Sequence, residues 1–132
     1  YKELMLQLRS SNKLITDFDY ISNEKRDLYF KAADIIVLPY HKIYQSGVLI
    51  MAMSYGLPVI ASNLQPNIEL AGEKKCIEFF DDGDHLQLAD KINTLLADQE
   101  RQNLLRKNGL ELVSTANDWS AIAERFKIVL TK

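Results

Sequence analysis

Gln45, Ser46, Gly47 and Val48 are the residues of this chain whose types and spacing point most directly to chemistry. They close a polar loop and open an amphipathic helix. The first amides of a helix have no intrahelical acceptor, and they stand at the positive end of its dipole. Such a junction suits an anion, a phosphate above all. Residues 38–62, LPYHKIYQSGVLIMAMSYGLPVIAS, read as buried strand, polar loop, helix, tight turn and second buried strand. In an open parallel sheet, ligands bind beyond the carboxyl ends of the strands, which is where this loop falls. The chemistry expected is the holding of a phosphate-bearing ligand. A plain N-cap by Ser46 is the structural alternative.

Other reactive side chains form no pattern of that kind. His41 lies just beyond a predicted strand end, a position suited to a site residue, but an exposed loop histidine is the preferred reading. His85 falls in the first turn of a predicted surface helix. The single cysteine, Cys76, has apolar neighbours and reads as a packed thiol. Two isolated histidines and one cysteine lack ligand spacing, so no metal site is expected.

The composition is that of an ordinary soluble globular domain, with 47% hydrophobic and 26% charged residues. A formal net charge of -2 excludes a global field directed at nucleic acid or anionic membrane. No secretory signal is apparent, and no apolar run has the length of about 18 residues that a spanning helix needs. The chain of 132 residues fits one domain able to bury a core. It begins at Tyr1 rather than at methionine, and is expected to be one part of a longer protein.

The elements that must position the loop follow from periodicity. Residues 1–9 read as the end of a helix and residues 13–16 as a short strand. After a loop through Asp19-Tyr20-Ile21, Ser22 precedes Asn23-Glu24-Lys25 and suits an N-cap, with a helix running to about Ala33. Residues 34–39, DIIVLP, are nearly continuously apolar, as a parallel strand covered on both faces requires. The helix after Ser46 stops at Gly56, and Pro58-Val59-Ile60-Ala61-Ser62 is the next strand. Residues 63–73 read as a polar connection and residues 76–80 as a last strand. Asp81-Asp82-Gly83 forms a turn, and Asp84 caps a helix with Leu88, Ala89, Ile92, Leu95 and Leu96 on its core face. The rest is helical, with Asn108-Gly109 marking a weak spot or break. Asn117-Asp118 introduces a last helix anchored by Trp119. Alternating strands and helices predict an α/β fold: a Rossmann-like three-layer parallel sheet of about four strands, with a helical C-terminal tail.

On these residues the chain resembles the C-terminal, donor-binding half of a family 4 glycosyltransferase with the GT-B fold. The resemblance is carried by Ala33-Asp34-Ile35-Ile36-Val37-Leu38-Pro39, by Ser46-Gly47-Val48-Leu49, and by Ala52-Met53 followed by Gly56 and Pro58-Val59-Ile60-Ala61-Ser62. Glu69, the turn at Asp81-Asp82-Gly83-Asp84, Leu88-Ala89 and Trp119 also fall where that family places similar residues. The resemblance implies that residues 1–132 are a single nucleotide-sugar-binding domain, with an acceptor-binding domain and basic phosphate contacts lying upstream. Lys42 is the nearest basic substitute.

The family's motif of two spaced glutamates aligns with Ile43 and Met51, neither of which is a carboxylate. The chain is similar to members that carry a Gln-Ser-Gly loop without the full pair. Diphosphate binding is then expected through Gln45, Ser46, Gly47 and Val48, mostly by backbone amides. Ile43, Met51 and Glu69 are the ribose- and sugar-side positions, and Tyr20 and Ile21 are the base-side positions. Glu69 reads equally as a first-turn residue of a short helix. The catalytic residues are not identified.

The function implied is a retaining transferase of hexosyl groups from a nucleotide-diphosphate sugar to a glycan or glycolipid, in surface polysaccharide or glycolipid assembly. The partners implied are the nucleotide-sugar donor and, through the missing domain, the acceptor. No cofactor, nucleic acid or transmembrane segment is expected. The setting expected is cytoplasmic, with peripheral attachment of the full-length protein at the inner membrane face as a variant. A non-catalytic α/β interaction module, or a sugar-nucleotide epimerase of similar fold, is the alternative.

Overall fold

The computed structural model describes residues 14–116 together with Glu3, Gln7, Leu8, Ala123 and Lys127. Its order is α1 (Asn23–Ala32), β1 (Ile36–Leu38), α2 (Gly47–Ser54), β2 (Val59–Ser62), α3 (Gln65–Ala71), β3 (Glu78–Phe80), α4 (His85–Ala97) and α5 (Gln99–Ala116). The three strands form one parallel sheet in the order β1-β2-β3. Val37 lies beside Ile60, and Ala61 beside Phe79.

Side chains of successive strand residues alternate between the two faces of this sheet. Ile36, Leu38, Val59, Ala61, Ile77 and Phe79 join one core with Phe30, Leu49, Ala52, Met53 and Leu112. Ile35, Val37, Ile60 and Phe80 join a second core with Leu88, Ile92, Leu95 and Leu105. The result is the expected three-layer α/β arrangement. The central strand β2 is buried along its whole length, which explains the unbroken apolar run. Each fully buried large side chain contributes about 1.5–3 kcal/mol through removal from water.

The sheet has three described strands rather than about four. Residues 14–16 make no ladder, and Ile15, which a strand would bury, is 81% exposed. An apolar alternation becomes a strand only where a neighbouring strand offers ladder partners, and these residues pair with none of the three. The expected polar connection at residues 63–73 contains α3. Pro66 in its first turn and Gly72 at its end, with φ +51°, bracket a helix whose polar composition hides its periodicity. Asn108-Gly109 is not a break, because α5 runs through it. Gly109 is there for close approach: a Cβ would stand 3.1 Å from Met53 Cγ. The helices expected at residues 1–9 and after residue 117, with Trp119, lie outside the described residues, apart from the helical Glu3, Gln7, Leu8, Ala123 and Lys127.

The helix that matters for function is fixed at both ends. Ser46 caps α2 by accepting from the Leu49 amide at 3.1 Å, and Gly56 ends it with φ +68°. Beyond its last turn, the Tyr55 hydroxyl donates to Asp27 of α1 at 2.6 Å, while its ring stands 5.1 Å from that of Phe30. Leu49, Ala52 and Met53 anchor the middle of α2 in the core. Its N-terminus therefore has a set direction, toward the carboxyl ends of β1 and β2.

Candidate functional site

Three loops meet at the carboxyl edge of the sheet: residues 39–46 after β1, residues 63–64 after β2 and residues 81–84 after β3. Two adjoining hollows open between the first two. One, of about 320 Å³, is lined by Tyr44, Gln45, Ser46, Pro66, Asn67, Glu69 and Leu70. The other, of about 350 Å³, is lined by Lys42, Ile43, Tyr44, Leu64, Gln65 and Pro66. Tyr44 and Pro66 belong to both, so the two form one groove.

The structure thus brings Gln45, Ser46 and Glu69 together, although they are far apart in sequence. Ser46 is only 5% exposed, and its hydroxyl is committed to the cap. Among the described residues, no protein group accepts from the Gly47 and Val48 amides. A Cβ placed on Gly47 would meet nothing within 4 Å, so open space lies in front of the helix start. Glu69 stands on the facing wall, on α3. Its Oε1 accepts from Gln65 Nε2 at 2.9 Å, which leaves Oε2 for a donor outside the protein. Below it, Asn67 is buried and donates through Nδ2 to the Ser62 carbonyl at 3.0 Å, locking α3 to the end of β2.

The other expected positions separate. Ile43 lines the second hollow beside the exposed Lys42. Met51 is half-buried and packs against the first core. Tyr20, 91% exposed, and the half-buried Ile21 precede α1 and are not among the groove's lining residues. Val48 presents its amide at the helix start. His41 is exposed and pairs with Asp82, whereas His85 lies in the first turn of α4. Cys76 is buried, and burial pushes its thiol above the usual range. No three His, Cys, Asp or Glu side chains among the described residues are grouped to hold a metal. No described helix is long and apolar enough to cross a membrane.

Sequence reasoning missed Tyr44, Pro66 and Leu70 as parts of this groove. Tyr44 is fully exposed at its lip. An aromatic beside Gln45-Ser46-Gly47 was a signal available in the sequence. Pro66 and Leu70 became visible only with α3.

A parallel α/β domain with helices on both faces of its sheet and a groove at its strand ends is of the doubly wound class; Gly47 and Val48 adjoin that groove without being among its lining residues. The sequence profile of the glycosyl transferases group 1 matches residues 1–112. The chain belongs to that family. Its fold resembles a sucrose-phosphate synthase from Thermosynechococcus elongatus, with TM-score 0.78 and 27% identity over 98% of this chain and 33% of that one. HepE of Anabaena, solved in complex with UDP, gives TM-score 0.80 and 21% identity over 98% of this chain and 36% of that one. The C-terminal domain of a glycosyl transferase group 1 family protein, LpcC, from Francisella tularensis gives TM-score 0.75 and 22% identity over 89% and 62%. The chain therefore spans a third to three-fifths of the length of these structures, and its fold is that of the C-terminal domain of GT-B enzymes. No curated protein matches the chain.

Proposed function

We propose that this chain is the donor-binding domain of a retaining glycosyltransferase, which transfers a hexosyl group from a nucleotide-diphosphate sugar to a glycan or glycolipid acceptor. The acceptor is held by a second domain outside residues 1–132, and the setting is cytoplasmic, in surface polysaccharide or glycolipid assembly. No cofactor takes part. The observation that carries this reading is the start of α2. The Gly47 and Val48 amides have no acceptor among the described residues, and they follow directly on Gln45 and Ser46, which line the groove with the Glu69 carboxylate. UDP in the HepE structure supports a nucleoside diphosphate as the ligand class.

Each part of the groove has a task. The amides of Ser46, Gly47 and Val48 and the dipole of α2 bind the diphosphate. The leaving diphosphate gains negative charge as the glycosidic carbon–oxygen bond breaks, so fixed donors stabilise the transition state more than the ground state. The free oxygen of Glu69 accepts from a sugar or ribose hydroxyl, the part left unfilled by Ile43 and Met51. Retention of configuration rests on the family resemblance.

Titration of the intact protein with uridine, guanosine and adenosine diphosphates and their sugars tests this reading. Saturable binding of one of them is expected. If the intact protein binds none, the donor-domain reading falls. The apolar residues at Ile43 and Met51 then favour a non-catalytic interaction module of the same ancestry.

A further inference from the structure

The loop that delivers the open amides leaves β1 after Leu38 and reaches α2 at Gly47, and little of it is packed. Tyr40 packs against the first core and Ile43 is half-buried, but Pro39, His41, Lys42, Tyr44 and Gln45 are all exposed, so apolar burial alone does not fix its path beyond Tyr40. Polar ties do. At its start the Ser62 hydroxyl donates to the Tyr40 carbonyl at 2.5 Å. At its end Ser46 is held by its cap on Leu49. Between them His41 Nδ1 stands 2.6 Å from Asp82 Oδ1.

Asp82 is itself well placed to act as an anchor. Its amide donates to Asn63 Oδ1 at 3.2 Å, and Asn63 Nδ2 donates to Asp81 Oδ1 at 2.6 Å. Gln87 Nε2 donates to Asp81 Oδ2 at 3.1 Å, and the Asp81 amide donates back to Gln87 Oε1. Asn63 is tied in turn by its own amide to the Phe80 carbonyl at 2.9 Å. One continuous set of bonds therefore runs from the β1 loop, through the β3 turn and the β2 loop, to α4. An ionised carboxylate only accepts, so Nδ1 carries the proton in this pair.

We propose that His41 is a positioning residue: by donating to Asp82 it holds residues 40–46 in the arrangement that keeps the Ser46, Gly47 and Val48 amides open to a ligand at the start of α2. This rests on the donor-domain reading. A loop held ready does not have to be ordered when the ligand arrives. Without the tie the loop spends part of its time in other arrangements, and apparent affinity falls by the fraction still competent. Saturating ligand draws the loop back, so the rate at saturation is kept. Loss of folding has the opposite signature: fewer active molecules at unchanged affinity.

The test uses the intact protein and whichever nucleoside diphosphate it binds. His41→Ala and Asp82→Ala are each expected to weaken binding about fivefold, and the double variant no further than either single one. His41→Asn, whose Nδ2 occupies the same donor position, restores most of the affinity. In donor kinetics KM rises with kcat unchanged. Amide hydrogen exchange of residues 40–46 quickens in His41→Ala without nucleotide, and saturating nucleotide slows it again. Unchanged exchange in that loop overturns the proposal, as does unchanged affinity or a loss matched by a smaller folded fraction. Absence of nucleotide binding by the unaltered protein would defeat the donor-domain reading instead, and the exchange result would still decide the role of His41.

Discussion

The two ends of the sheet hold polar clusters of similar size with opposite character. At the amino end of β3, Glu78 is enclosed, its side chain 16% exposed, and both its oxygens are taken. Lys91 Nζ lies 2.7 Å from one, and Arg101 donates to the other through Nε at 3.1 Å and Nη2 at 2.8 Å. The hollow there is lined by the same three residues with Asp90, Thr94, Leu95 and Asp98. At the carboxyl end, Glu69 uses one oxygen on Gln65 and keeps the other, and the helix amides in front of Gly47 have no acceptor among the described residues. The first cluster is saturated, and its product is the joining of β3 to α4 and α5. The second is unsaturated in both signs, with open donors at the start of α2 and a free acceptor oxygen on Glu69. The proposed donor site rests on this unused hydrogen-bonding capacity; cavity size alone does not distinguish the two ends.

That contrast is open to a direct break. Gly47→Trp fills the open space in front of α2 without touching other protein atoms at its Cβ. It is expected to lower nucleoside diphosphate affinity by more than about a hundredfold, because approach to several charge-assisted donors is lost at once. The thermal midpoint should stay within a few degrees of that of the unaltered protein. Calorimetric titration beside a melting curve checks both. A variant that binds as before would show that the amides are not the diphosphate site.

Glu78→Ala is the mirror experiment. It leaves Lys91 and Arg101 without their shared carboxylate in a half-buried position, and should destabilise the fold by about 1–3 kcal/mol. Nucleotide affinity at a temperature well below the transition should not change. A fall in affinity larger than the loss of folded protein would mean that the ends of the sheet are coupled, and the contrast between them would fail.

The sequence made one end far more legible than the other. The carboxyl end rests on local signals: the apolar run before Pro39, the Ser46 cap, the Gly56 stop and the Pro58 strand entry each act within a few residues. The partners of those elements were not legible. Gln65 and Asn67 read as a polar connection because a short helix with a buried asparagine shows no apolar stripe, so Glu69 was named as a sugar-side position without the helix wall that carries it. Gly109 read as a weak point because its role is contact with Met53, a residue on another helix. The pair of His41 with Asp82 and the pair of Glu78 with Arg101 likewise depend on how loops and helices meet. Residues 14–16 of the expected strand make no ladder for the same reason, since a ladder is a property of two segments.

Glu69→Gln sharpens the contrast at its open end. The amide keeps the shape of the side chain and can still meet Gln65, but it loses the charge that strengthens acceptance from a hydroxyl. Donor-sugar affinity should fall about three- to tenfold, less than for removal of the whole group. Affinity for inorganic phosphate or pyrophosphate should be retained, which separates Glu69 from the amide site. Equal weakening toward both ligands would place the carboxylate against the diphosphate instead.

The smallest effect expected is a pH dependence at the saturated end. Burial pushes the Glu78 carboxyl upward, but hydrogen bonds from Lys91 and Arg101, with their charges, outweigh it and hold the group below the usual carboxylate range. A carboxyl depressed in the folded state contributes stability that is complete above its unfolded value, about 4.3, and is lost as pH falls through the folded one. Denaturant midpoints of the unaltered protein should therefore drop more steeply than those of Glu78→Gln between about pH 5 and pH 3. Parallel curves for Glu78→Gln and the unaltered protein would show that the ion cluster gives no pH-dependent stability, and that its two cations are held by packing.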